Sequence, residues 1–219
     1  MIDESAAPLL QTSPGEITDW DASYRCGTPP WETGLPAAEL LRVVREGILR
    51  PMPTLELGCG TGANAVFLAQ QGFEITAVDL SPTAIERART RAERSGALLR
   101  IVLDDVFEFA EHCGSYDLVY DAGFYQYLRR TQLSRLLDLL WRVTSPGSLY
   151  FALAPCTGKE AEGELPQVSE EEIRYELGRL FEFVDLRPLR LEGPDGGEGN
   201  LGWSCLMRRP IVAGQRVES

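Results

Sequence analysis

A single histidine stands in 219 residues, and the five cysteines are odd in number, scattered and never paired as C-x-x-C. So little imidazole leaves no material for a His-rich metal site or an obvious Ser-His-Asp triad, and no metal is expected. The cysteine usage fits a reducing compartment rather than a disulfide framework or a zinc site, so a cytoplasmic location is expected. Positive charge is also short: 21 Lys and Arg against 33 Asp and Glu give a net charge of −12. Such a chain repels polyanions, and neither nucleic acid nor an anionic membrane is expected as a partner. No apolar run approaches the length of a membrane span, and acids stand near the N-terminus where a signal peptide carries lysine or arginine.

What is present is organised around Leu55-Glu-Leu-Gly-Cys-Gly-Thr-Gly62. A strand enters, three alternate glycines turn the chain, and Ala63 to Ala69 leaves as a helix. Glycine lets a ligand approach the backbone, and the new helix presents unpaired N–H groups to it. Gly58, Gly60 and Ala63 also satisfy the loose dinucleotide pattern G-x-G-x-x-G/A, which makes NAD a rival ligand. Against NAD stands Glu56, whose carboxylate suits an ammonium group and repels a pyrophosphate.

The rest of the chain alternates strands and helices. A helix is expected from about Pro36 to Leu49, with Leu40, Leu41, Val44 and Ile48 facing the core. Phe73 to Asp79 reads as the second strand, and its terminal acid, 21 residues after Gly58, is placed to accept bonds from ribose hydroxyls. Ser81 and Pro82 open a helix that Gly96 stops, and its charges Glu86, Arg87, Arg89, Arg91, Glu93 and Arg94 read as a solvated face. A third strand, Leu98 to Leu103, ends in Asp104-Asp105, where a carboxylate either takes an adenine amine or caps the following helix. His112 reads as the end of that helix, where a cation favours the dipole. Tyr116 to Asp121 is the fourth strand, Gln132 to Val143 a helix and Ser148 to Ala154 the fifth strand. Pro155 to Pro166 reads as a loop. Ser169 and Glu172 form a capping box for a helix running to about Phe181. Two strands within 182–208, separated by the loop Gly193 to Gly199, close the chain. The βα alternation predicts parallel strands with helices on both faces.

Taken in order, the glycine turn, Asp79, Asp105 with Val106, and Asp121 resemble the motifs of class I S-adenosylmethionine (SAM) methyltransferases over about Pro36 to Arg208. The resemblance implies an α/β, Rossmann-like, seven-stranded and mostly parallel sheet, with an antiparallel C-terminal hairpin. It implies that Gly58, Cys59, Gly60 and Gly62 pass beneath the methionine part of SAM and that Glu56 lies near its amino group. Asp79 would hold the ribose, with Leu80 beside it in the cofactor set; Asp105 and Val106 would read the adenine, and Asp121 would border the methyl-transfer face.

The segment Trp20-x3-Tyr-Arg-x-Gly-x2-Pro-Trp-Glu-x-Gly34 is similar to the N-terminal signature of the thiopurine S-methyltransferase and thiol/halide methyltransferase group. That likeness implies an arm, residues 1–35, that closes Trp20 and Trp31 over SAM. The methyltransferase domain would then span 36–209, with a disordered tail from 210 to 219. Residues 1 to about 18 are expected to be flexible. Phe124-Tyr125-Gln126 departs from a Phe-His-His stretch in bacterial relatives, which removes two imidazoles.

The expected activity is methyl transfer from SAM to a small thiol or similar soft nucleophile, leaving S-adenosylhomocysteine. Tyr24, Arg25 and Tyr125 are the catalytic candidates, and Phe124 and Tyr127 line the acceptor pocket. The alternatives are O- or N-methylation, with Tyr125 or His112 as base; a SAM-binding domain without turnover; and, further off, an NAD-binding protein. A monomer or weak dimer is expected.

Overall fold

The computed structural model of the chain describes residues 19–155, 168–192 and 198–211. The expected flexible stretch 1–18, Cys156 with most of its loop, 193–197 and the end of the tail, 212–219, lie outside the described residues.

Five strands, β1 (Pro53–Leu57), β2 (Glu74–Asp79), β3 (Arg100–Leu103), β4 (Tyr116–Ala122) and β5 (Thr144–Pro155), run parallel. The last two, β6 (Glu182–Glu192) and β7 (Glu198–Arg208), join antiparallel and complete one seven-stranded sheet in the order β3-β2-β1-β4-β5-β7-β6. β7 inserts between β5 and β6, so the antiparallel hairpin forms one end of the sheet.

Alternation along the strands sorts the core into two layers. Val119 on β4 and Tyr150, Ala152 and Ala154 on β5 pack beneath α5 (Val106–His112), α6 (Phe124–Val143) and α7 (Glu170–Leu177). Their neighbours Leu118, Tyr120, Phe151 and Leu153 face α2 (Ala38–Arg45), α3 (Ala63–Gln70) and α4 (Pro82–Ser95) on the other side. Central strands covered on both faces need apolar residues at nearly every position, as these have.

Helix ends follow their local signals where those are strong. Ser81 accepts from Ala84 N at the start of α4, and Gly96 ends it in the left-handed region at φ 65°. The Ser169–Glu172 capping box forms at α7, which stops at Leu177 rather than near Phe181.

Two further helices differ from expectation by more. α2 ends at Arg45 because Gly47, at φ +70°, turns the chain; Ile48 is left 44% exposed while Val43 and Leu49 enter the core. α6 begins eight residues before the expected Gln132, and Gln132 itself, at φ −135° and ψ 28°, marks a break inside it. The early start comes from Asp121, whose Oδ1 accepts from the N–H groups of Phe124 (3.0 Å) and Tyr125 (3.2 Å) and nucleates an aromatic-rich turn of low intrinsic helix propensity. Among the described residues no helix is long and apolar enough to cross a membrane.

Candidate active site

The carboxyl ends of β1 to β4 open into a cavity of about 330 Å³, closed from above by α1 (Trp20–Arg25) and Trp31. Asp79, Leu80, Asp105 and Val106, from the tips of β2 and β3, form one wall; Ala122, Gly123, Phe124, Gln126, Tyr127 and Leu128, from the end of β4 and the start of α6, form a second, and the two meet at Gly58, where a Cβ would lie 3.0 Å from Phe124 Cδ2.

The glycine turn divides its work. A Cβ on Gly60, at φ +53°, would lie 2.9 Å from the Tyr24 hydroxyl, so glycine here lets the arm sit on the turn. A Cβ on Gly62 would lie 2.9 Å from Ala88 Cβ; that glycine serves the close packing of α3 on α4 and is not among the cavity-lining residues. Cys59 is likewise buried, donating its N–H to Val78 O at 3.0 Å, and burial raises its thiol pKa well above the usual value.

Asp79 Oδ2 accepts from Gly60 N at 2.7 Å and Oδ1 from Ser81 N at 2.9 Å. Each oxygen keeps a lone pair for a further donor. Burial pushes the Asp79 carboxyl up. Asp105 is both of its expected alternatives in position: its Oδ1 caps α5 through Phe107 N at 2.8 Å, and the residue lines the cavity. Beneath the turn Glu56 is 2% exposed, and its Oε2 has no hydrogen-bond partner. Burial, more than the bond from Asn64 can offset, pushes its carboxyl up to about 8; Asp79, Asp121 and Glu32 add like charge. Glu56 is not among the residues that line the cavity, although a buried carboxylate with an unpaired oxygen among acids favours a cation beside it.

The structure does not bring every candidate to the cavity. Tyr125 is fully buried on the α7 side, where its hydroxyl donates to Glu176 Oε2 at 2.7 Å beside Arg129, whose Nε donates to the same atom at 2.8 Å. Arg25 is exposed and pairs with Asp19 (3.3 Å) and Asp21 (3.2 Å). Asp121 is fully buried, receiving the Tyr150 hydroxyl on Oδ2 and the two N–H groups of α6 on Oδ1; burial pushes it up to about 6. His112 ends α5 away from the cavity lining.

The arm residues do converge. Trp20 meets Trp31 edge-on at 5.6 Å and Tyr127 at 4.4 Å, and Trp31 Nε1 donates to the Tyr24 hydroxyl at 3.3 Å. Burial raises the Tyr24 hydroxyl far above the ordinary tyrosine range.

What holds the arm was not legible. α4 was expected to be a solvated face, yet Arg87 donates to Tyr24 O (2.7 Å) and Gly27 O (2.9 Å), and Arg91 donates to Gly34 O (2.7 Å) and Thr61 O (2.9 Å). Asp21 reaches in the opposite direction, accepting from Ser81 Oγ and Thr83 N at the start of α4. Guanidinium forks suit this because each offers five donors in one plane. Gln126, Gln132, Phe107 and Arg135 were also missed as lining residues; Arg135 stacks over the Phe107 ring at 4.0 Å and bonds Gln132 Oε1 at 2.8 Å.

Comparison with known proteins agrees with the fold. Residues 54–147 match the family described as a methyltransferase domain. The chain is 27% identical over 184 residues to a 2-heptyl-1-hydroxyquinolin-4(1H)-one methyltransferase of Mycobacteroides abscessus, covering 78% of this chain and 80% of that one. It is 29% identical over 187 residues to a probable thiol methyltransferase 2 of Arabidopsis thaliana, covering 84% and 82%. A solved structure described as "Conversion of a Disulfide Bond into a Thioacetal Group during Echinomycin Biosynthesis" superposes with a TM-score of 0.77 at 25% identity, over 89% of this chain and 93% of that one.

Proposed function

We propose that this chain, a class I SAM-dependent methyltransferase acting on a small molecule, methylates an acceptor that ionises without help from the protein, a thiol in the first place. One observation carries the reading: among the described residues that line the cavity there is no histidine or lysine, and its two carboxylates are engaged by backbone N–H groups and are the ones that fit the cofactor. Asp79 and Asp105 already accept backbone N–H groups, the Tyr24 hydroxyl is held protonated by burial, and Tyr125 and Asp121 are spent in the core. A thiol, with an ordinary pKa near 8.5, reaches such a site partly as thiolate.

The residues fit SAM. Asp79 has the lone pairs to hold the ribose hydroxyls, Asp105 and Val106 stand where an adenine edge would be read, and Leu80 lines the cavity beside them. The unpaired oxygen of Glu56 is matched by the ammonium of the methionine part. Gly58 would let the cofactor approach the backbone at the cavity wall, while Gly60 seats Tyr24 of the lid. When bound, SAM supplies an electrophilic methyl group that the acceptor takes, with S-adenosylhomocysteine left behind. Trp20, Tyr24 and Trp31 act as a lid that excludes water and aligns the two reactants, while Phe124 and Tyr127 border the acceptor. The four free cysteines among the described residues support a cytoplasmic location.

A second reading has an observation of its own. The Mycobacteroides relative is named for an N-hydroxyquinolone, a flat molecule whose hydroxyl is acidic, and an aromatic cavity without a base suits that class as well. The test is production of S-adenosylhomocysteine across a panel of thiols, halides, N-hydroxy heterocycles, phenols and amines. Turnover of thiols supports the first reading and turnover confined to N-hydroxy heterocycles the second. Turnover confined to amines or unactivated phenols overturns both.

A further inference from the structure

We infer that Gln126 selects the acceptor, favouring a nucleophile that carries a hydroxyl or amino donor beside the atom to be methylated. The inference rests on the thiol reading above and concerns the wall formed by the end of β4 and the start of α6.

Gln126 is 4% exposed, lines the cavity, and its Oε1 has no hydrogen-bond partner. An orphaned buried amide oxygen of this kind is uncommon, because an unpaired group bears the full penalty of leaving water. The backbone makes room for the side chain. Its Nε2 lies 3.1 Å from where a Cβ on Gly123 would stand, so the glycine at φ +99° that opens α6 also leaves room for the amide.

Topology gives the amide its role. Asp79, Leu80, Asp105 and Val106 come from the tips of β2 and β3, whereas Gln126 comes from the first turn of α6, directly after β4, beside Phe124 and Tyr127. A cofactor whose ribose and adenine were held by the β2 and β3 tips would leave the α6 side of the cavity for the acceptor. Gln126 does not titrate, so it orients an acceptor and does not deprotonate it. An acceptor with a neighbouring O–H or N–H satisfies the orphan oxygen; one with only a methyl group there leaves it buried and unpaired, and a site built this way discriminates strongly against the analogue without the donor.

The test compares 2-hydroxybenzenethiol with 2-methylbenzenethiol, near-isosteres that differ in the donor. Two readouts are used: kcat/KM with SAM, and calorimetric affinity for the enzyme loaded with S-adenosylhomocysteine. The wild-type enzyme is expected to prefer the hydroxyl compound by on the order of tenfold or more in both. Gln126→Leu brings the ratio to within about twofold of one, and Gln126→Glu, which keeps an acceptor oxygen, retains the preference. Equal treatment of the two thiols by the wild-type enzyme, or an unchanged ratio in Gln126→Leu, overturns the inference and leaves the thiol reading standing. A loss of SAM affinity in Gln126→Leu as large as the loss for the hydroxyl compound assigns the amide to the cofactor and also overturns it. No turnover of either thiol by the wild-type enzyme defeats the thiol reading, and this inference with it.

Discussion

Asp79 and Asp121 stand at the carboxyl tips of the two strands that flank β1, and they have opposite fates. Asp79 receives two backbone N–H groups and turns to the cavity; Asp121 receives two N–H groups and also the Tyr150 hydroxyl from the adjacent strand, and closes into the core. The extra donor makes the difference. A carboxylate at a strand tip stays open to a ligand when only the turn's own backbone meets it, and becomes a helix anchor when the next strand supplies a hydroxyl. The same contrast runs through the two walls: the β1–β3 tips present groups to a ligand, while much of the polar chemistry behind α6 holds α6 and α7 together.

Mutations should separate these walls by the kind of damage they do. Asp79→Ala has the largest expected effect on the cofactor, raising the SAM Kd about 100-fold, ~3 kcal/mol, in calorimetry while the fold persists. Affinity close to wild type would erase the distinction between the two aspartates.

Next comes pH, through Glu56. Its folded pKa, about 8, lies above the ordinary value for an unfolded glutamate, so the unliganded protein holds a proton there that the unfolded chain has lost. Stability from this group is therefore fully present below about pH 4.3 and drains away as pH rises through the folded value. An ammonium beside Glu56 favours its charged form, so SAM affinity should improve between pH 6 and pH 8 by on the order of tenfold, and Glu56→Gln should flatten the profile.

Arg91→Ala removes the fork that joins Gly34 O to Thr61 O. It should weaken SAM about fivefold with little change in melting temperature, because it loosens the arm and not the core. Trp31→Ala belongs to the same class, and an unchanged Kd in both would demote the lid.

Tyr125→Phe should have the smallest effect on the reaction, with kcat within about twofold of wild type, and a melting temperature lower by a few degrees, about 1 kcal/mol, for the lost bond to Glu176. A large fall in kcat at unchanged stability would return Tyr125 to the chemistry.

The contrast also explains what could be read from the chain alone. Strand, glycine turn and helix, the acid ending β2, and the Ser81 and Ser169 caps are local patterns, each specified within a few residues, and they sufficed for the sheet and for the part of the cavity lined by the β2 and β3 tips. The rest depended on partners far along the chain. Nothing near Tyr125 announces Glu176, 51 residues on, and nothing near Arg87 or Arg91 announces the arm carbonyls about 60 residues earlier. The start of α6 was missed for a different reason: a side-chain cap from Asp121 overrode the low helix propensity of Phe-Tyr-Gln-Tyr. Gln126 was passed over because a glutamine carries no signal until burial leaves its oxygen without a partner.

The most direct test of a site without a base is the pH dependence of kcat/KM for a series of thiols of graded acidity. On this account the midpoint of the rising limb follows each acceptor's own pKa, because the protein contributes alignment and not proton removal. A midpoint that stays fixed while the acceptor changes would reveal a protein base and contradict it.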